Sequence, residues 1–335
     1  MVIFRPVVRE DLQDILALSA RVGVGMTSLP HDEARLASKI ARSIDTFNQT
    51  LPRSDQGFLF VLEDTETQKV FGVSAIEVAV GLSEPFYNFR LQRTVKASKE
   101  LGIYKNLDVL SLSYDHTGHS ELCTLFLDPD YQKHRYGQLL SKARFLFMAS
   151  FRDAFSHSLF AELRGVVDEQ DQSPFWDALG KHFFDIPFAD ADRLTGIGKK
   201  TFIAELMPSY PIYTLLLPEA AQAVIGKVHP NTAPARAILE KEGFRWRGSV
   251  DIFDAGPVIE ANMDDVRIIK ESQLCSVEQL PTVYAQSYLI CNTHFSQFRA
   301  VLAEGELTQP HLDALLLDDD HPVRIAPLSP REAVV

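Results

Sequence analysis

SELCTLFLDPDYQKHRYGQLL, Ser120–Leu140, is the stretch whose reading decides the fold. An alternating apolar run ends at Asp128-Pro129, as a strand does. A short polar loop with one glycine follows, and then a long amphipathic helix begins. Helix starts carry about half a positive charge and unpaired N–H donors, so a strand that runs through such a loop into a helix makes an anion site. The loop residues Gln132, Lys133, His134, Arg135 and Gly137 are therefore the candidates for holding a diphosphate.

Upstream, Val2–Pro6 reads as a strand, and Glu10-Asp11 opens a helix whose apolar face is Leu12, Ile15, Leu16 and Leu18. Gly57–Glu63 and Val70–Val80 flank the polar turn Asp64–Lys69 and predict a hairpin. Residues 81–106 break the pattern; they are aromatic and basic (Phe86, Tyr87, Arg90, Arg93, Lys96) and read as an inserted helical segment. Val109–Tyr114 and Glu121–Leu127 are the next strands. Downstream come a helix over Gln138–Phe155, a buried strand over Leu159–Val167 (its core FAELRGVV) and a short helix over Pro174–His182. An internal echo relates SPFWDALGKHFF (Ser173–Phe184) to APARAILEKEGF (Ala233–Phe244), each with proline at a helix start and an aromatic strand entry. These elements give an α+β chain in which a mixed sheet is flanked by helices. The expected division is residues 1–271, with the insert at 81–106 and the echo at 226–260, followed by a small all-β appendage over 272–335.

The 335 residues are 46 % hydrophobic, enough for a sizeable core, and no run reaches the roughly 18 apolar residues of a membrane span. No secretory leader is visible, and three cysteines without a CxxC pair fit a reducing compartment, so the cytoplasm is expected. A formal net charge of −12 disfavours a nucleic-acid partner. His116 and His119 lack the spacing of a metal site, so no metal is expected.

The strand–helix–hairpin opening and the 120–140 stretch resemble the GCN5-related N-acyltransferases, which grip acyl-coenzyme A at this loop. Their usual pattern, Gln/Arg-x-x-Gly-x-Gly/Ala, is met by Gln132 and Gly137, with Arg135 in place of the middle glycine. The resemblance implies that the main chain at Leu125 and Leu127 pairs with the pantetheine arm and the thioester carbonyl. An N–H aimed at that oxygen stabilises the tetrahedral oxyanion. Transfer to an amine also needs proton exchange. His229, held extended by Pro230, is the best candidate, since histidine titrates near neutral pH.

The wider chain resembles the arginine N-succinyltransferase family. The stretches that carry this are Met26–Pro30, Ser83–Tyr87, Leu110–Thr117 (LSLSYDHT), Ser173–Trp176, Phe202–Tyr213 (FIAELMPSYPIY), Gly226–Pro230 (GKVHP) and Asp251–Pro257 (DIFDAGP). The resemblance implies succinyl transfer from succinyl-CoA, a co-substrate and not a bound cofactor, to the α-amino group of L-arginine. It also implies proton transfer by His229 and a succinyl-CoA contact at Leu125. Glu84, Asp115, Asp251, Asp254 and Glu260 are candidates for the guanidinium, because they lie in or beside these stretches. Arg90, Arg93 and Thr27-Ser28 are candidates for the succinyl carboxylate. Two alternatives stay open: another amine acyltransferase using ornithine or a different acyl-CoA, and a non-catalytic subunit that binds coenzyme A or arginine. A homo-oligomer or a paired family subunit is compatible with either.

Overall fold

Fourteen strands of the described residues form one mixed sheet. The structure is a computed structural model describing residues 1–23, 26–132, 134–196, 201–317 and 322–330, so the candidate Lys133 lies outside the described residues. In chain order the strands are β1 Val2–Pro6, β2 Gly57–Asp64, β3 Lys69–Glu77, β4 Asn88–Ser98, β5 Ile103–Ser113, β6 Ser120–Leu127 and β7 Ser158–Glu162. They continue as β8 Ile212–Tyr213, β9 Arg245–Val250, β10 Pro257–Asn262, β11 Gln273–Cys275, β12 Tyr288–Cys291, β13 Ala300–Ala303 and β14 Val323–Pro327. Their spatial order is β11-β14-β12-β13-β1-β2-β3-β6-β7-β10-β9-β4-β5-β8. Every pair is antiparallel except β6 with β7.

Period-two alternation explains the centre of the sheet. On β2, Phe58, Phe60 and Leu62 face the aromatic core built with Phe4, Phe147 and Phe155. Leu59 and Val61 face the other way, onto helices α1 (Leu12–Ser19) and α2 (Glu33–Phe47). Helix α2 starts at Asp32, whose side chain accepts from the N–H of Arg35 at 3.0 Å. It buries Leu36, Ile40, Ser43 and Phe47, an i, i+4, i+7, i+11 stripe.

Several sequence expectations are corrected. The segment 81–106 is not helical: Asn88–Ser98 is a strand paired along its length with Ile103–Ser113. The helix from the decisive stretch, α3 (Tyr136–Ser150), is not amphipathic in place. Every residue from Leu139 to Ala149 is buried, Lys142 and Arg144 included. The C-terminal strands cover its second face, and Lys142 Nζ donates to the carbonyl of Leu328 at 2.6 Å. Those strands continue the central sheet through Phe4 opposite Ala300. The strand read over 159–167 ends at Glu162. The two halves of the echo differ: Ala233–Lys241 is one helix leading to β9, whereas 174–184 breaks at Leu179 into two short helices and ends in a left-handed turn at Asp185.

Candidate active site

The parallel pair β6–β7 opens the site. Its register holds at Ser120–Leu159 and Glu121–Phe160, after which the strands diverge. On its other side β6 carries a bulge. Val73 faces Phe126 and Ala75 faces Cys123, so Thr124 and Leu125 share one gap, with Thr124 at φ +53°. The main chain at Leu125 therefore has no register partner on either neighbouring strand. A cavity of about 1630 Å³ occupies the space between the strands, large enough for a long cofactor-like substrate and a second molecule.

Two cations fix the bulge. Arg144, 1 % exposed, donates from Nη1 to the carbonyls of Ala75 (3.1 Å) and Cys123 (3.3 Å) and from Nε to that of Ser141 (3.1 Å). Burial pulls its guanidinium down to about 10, still charged at neutral pH. Lys39 Nζ, from α2, donates to Thr124 Oγ1 at 2.8 Å and to the Ser28 carbonyl at 2.7 Å. Positive charge thus lies beside the bulge at Thr124 and Leu125.

The anion loop follows β6. Buried Asp128 accepts from Arg21 Nη1 at 2.6 Å and from the N–H of Asp130 at 3.0 Å, which fixes the turn after the strand. Arg135 precedes α3 at φ +60°, the left-handed conformation in which glycine is at ease. Its side chain is tied to the C-terminal strands, by Nη1 to Ser287 Oγ at 2.8 Å and near Glu304 at 3.7 Å. The Arg135 side chain does not cap α3, and in its first turn the N–H groups of Gln138 and Leu139 donate to the Arg135 carbonyl at 2.9 and 3.1 Å. A Cβ on Gly137 would meet nothing nearer than Leu127 at 3.8 Å, so the room it leaves faces the cavity and not a packed neighbour. These features fit a diphosphate.

Leu125, Leu127, Gln132, Arg135, Gly137, Glu84, Asp251 and Asp254 line the cavity together, as do Thr27 and Ser28. His134 and Asp115 are exposed and stand apart from it. Arg90 bonds Ser249 Oγ at 3.0 Å, Arg93 pairs with Asp108 at 3.1 Å, and neither lines the cavity. Glu260 faces buried His116 at 3.2 Å, and that hydrogen bond holds its carboxyl below the usual range. The other His116 nitrogen meets Asn88 Oδ1 at 2.6 Å, and the Asn88 amide donates to Glu162 Oε1 at 2.7 Å on the cavity wall.

Asp251 and Asp254 shape a turn. Asp251 Oδ1 accepts from the N–H groups of Phe253 (2.6 Å) and Asp254 (2.9 Å), and Asp254 accepts from Gly165 (2.6 Å) and Gly256 (2.7 Å). Burial, and then the neighbouring Asp251, push Asp254 well above the ordinary carboxylate range. Burial raises Asp251 as well.

His229 stands half-buried, one residue before the lining residues Pro230 and Asn231. Its N–H donates to the carbonyl of Arg164 at 2.9 Å, and its Nδ1 accepts from the N–H of Asn231 at 3.2 Å. The neutral ring accordingly carries its proton on Nε2. Burial, and then the charge of Arg164, hold its pKa below 6.5, so the ring is neutral at pH 7. Three lining residues had no local signal in the sequence. Arg144 sits in an apolar helix, and Glu162 and Arg164 sit in a buried strand run; the pairing of distant strands brings them together.

The mixed sheet, the parallel pair that diverges after Glu121–Phe160, the bulge in β6 and the helix after it are the arrangement expected from the resemblance to the GCN5-related N-acyltransferases. A family model described as "Arginine N-succinyltransferase beta subunit" matches residues 2–268. The arginine N-succinyltransferase of Photorhabdus laumondii is 56 % identical over 342 aligned positions, covering 99 % of this chain and 100 % of that protein. That of Yersinia pestis is 54 % identical, covering 92 % and 90 %. The structure of arginine/ornithine succinyltransferase subunit AI from Pseudomonas aeruginosa superposes with a TM-score of 0.89 at 36 % identity, covering 98 % of this chain and 99 % of that one. The chain belongs to the arginine N-succinyltransferase family.

Proposed function

We propose that this chain transfers the succinyl group of succinyl-CoA to the α-amino group of L-arginine, giving N2-succinyl-L-arginine and free coenzyme A. The observation that carries the reading is the Thr124 bulge, which leaves the Leu125 main chain without a register partner on either neighbouring strand, on the cavity wall and ahead of the start of α3. In this reading the diphosphate sits at the N-terminus of α3, beside Tyr136 and Gly137, and the pantetheine arm follows Leu125–Leu127. The thioester oxygen accepts from the Leu125 N–H. The arginine nitrogen attacks the carbonyl carbon; a C–N bond forms, the C–S bond breaks, and coenzyme A leaves as a thiolate whose pKa of ~8.5 makes it a good leaving group. His229 is the proton-transfer residue, since its neutral ring at pH 7 can take the proton that the ammonium must lose.

The names borne by the family's members support arginine as the amine. The Pseudomonas protein is titled an arginine/ornithine succinyltransferase, which favours ornithine as a second amine. Among the described residues no helix is long and apolar enough to cross a membrane, and a cytoplasmic site of action fits the co-substrate. The test is thiol release from succinyl-CoA by the purified chain with arginine, with ornithine and with no amine, the product being identified by mass. Arginine-dependent release is expected. Release that ignores the amine, or no release at all, would overturn the reading.

A further inference from the structure

Arg164 lies two residues past the end of β7, on the run that diverges from β6 after the register Ser120–Leu159 and Glu121–Phe160. Arg164 and Leu125 both line the cavity. Arg164 is held from several sides. Its carbonyl accepts from the N–H of His229 at 2.9 Å, and the next residue, Gly165, is fastened to Asp254 at 2.6 Å. Its guanidinium lies against Gly23, where a Cβ would come within 3.2 Å of Nη1.

The hydrogen bonding of this guanidinium is incomplete. Nη2 donates to Asp171 at 3.3 Å, a carboxylate that is 54 % exposed at the rim. Nε is buried and has no hydrogen-bond partner among the described residues. A buried donor of a charged group is costly to leave unpaired, and the cavity that Arg164 lines is where an acceptor can reach it. Burial, and then Asp251, raise the pKa of nearby Asp254, and Asp171 at the rim is the carboxylate paired with Arg164. Guanidinium forks match carboxylates in two-point geometry. Given succinyl transfer to arginine, on which this inference rests, each co-substrate brings a carboxylate close to the reacting atoms. In the succinyl thioester it lies two methylenes from the carbonyl carbon, and in arginine it is attached to the carbon that bears the attacking nitrogen.

We propose that Arg164 anchors a substrate carboxylate beside the reacting thioester. Its donors fix the reactants by charge-assisted hydrogen bonds, while the diphosphate is held elsewhere, at the start of α3.

The test compares the wild type with Arg164→Gln and Arg164→Lys, using four pairings: succinyl-CoA or butyryl-CoA with arginine, and succinyl-CoA with argininamide or agmatine. Butyryl-CoA replaces the distal carboxylate by a methyl group; argininamide and agmatine lack the α-carboxylate. Wild-type turnover with arginine and succinyl-CoA tests the proposed function by itself. For Arg164→Gln, kcat/KM with the natural pair is expected to fall by about 10–100-fold, with an unchanged Kd for coenzyme A and an unchanged melting midpoint. If that penalty disappears with butyryl-CoA, Arg164 holds the succinyl carboxylate; if it disappears with both arginine analogues, Arg164 holds the α-carboxylate. An equal penalty across all pairings, or none in any, overturns the proposal. Should Arg164→Gln fail to fold, the same ratios read in Arg164→Lys decide.

Discussion

At the scale of single residues, the site depends on a few side chains whose neighbours set their protonation. His229→Ala is expected to lower turnover by about 10²–10⁴-fold with little change in coenzyme A affinity, checked by steady-state kinetics beside equilibrium binding. Near-normal turnover would leave His229 as the cap of the short helix that follows it. Asp254 has the opposite electrostatic situation. Its folded-state pKa is raised, so the stability it contributes is fully present below the ordinary value of 3.8 and is lost as pH rises through the raised one. Asp254→Asn, which does not titrate and puts an amide against one of two N–H donors, should destabilise the chain by about 1–3 kcal/mol. The deficit should shrink as pH rises, as urea unfolding of both proteins from pH 5 to 8 would show. Of these residues, His229 was legible in the sequence because Pro230 and the GKVHP stretch single it out. Asp251 and Asp254, read in the sequence as candidates for the guanidinium, line the cavity, but their use in a turn was not legible, because it depends on Gly165 arriving from a distant strand. Arg164 was not legible at all, since it lies in an apolar run and its role depends on which strand faces it.

At the scale of elements, the proposed chemistry rests on the bulge in β6 and the entry to α3. Arg144 closes the bulge by filling the carbonyls of Ala75 and Cys123. Arg144→Met is expected to cost about 1–3 kcal/mol for each acceptor left unpaired and to lower kcat, because the Leu125 N–H loses its fixed direction. Thermal unfolding alongside turnover checks both, and a variant with unchanged kcat would show that the bulge holds without its cation. The strand, loop and helix of 120–140 were readable because alternation gives way to helical spacing across one Asp-Pro. The 88–98 strand was not. Only its first residues are buried, so it shows no alternation, and Arg90, Arg93 and Lys96 fall three apart, as on a helix face. The bulge itself left no mark in the sequence, because Thr124 is an ordinary strand residue that here adopts a left-handed backbone.

At the scale of the whole molecule, one sheet runs from the C-terminal strands through the site to the β4–β5 hairpin, and α3 lies beneath it with every side covered. A buried charge cluster ties the 242–268 segment to that helix, and its two cations also donate to the carbonyl of Leu328 beyond β14. Glu242, fully buried, accepts from Lys142 at 2.9 Å, from Arg267 at 2.7 Å and from the N–H of Ile268 at 3.0 Å. Glu242→Gln is expected to cost about 3–5 kcal/mol, because it leaves two cations buried without their carboxylate; denaturant unfolding gives the value. A loss under 1 kcal/mol would mean that the cluster contributes little to holding the C-terminal strands. That joining was invisible in the sequence, where residues 272–335 read as short, separate runs; Phe4 meeting Ala300 is a contact between the two ends of the chain. The most direct test of the central claim is a crystal structure with coenzyme A and arginine bound. The expected result is the diphosphate at the N-terminus of α3, beside Tyr136 and Gly137, and the sulfur beside the main chain of Leu125. A diphosphate bound anywhere else on the molecule would contradict the account.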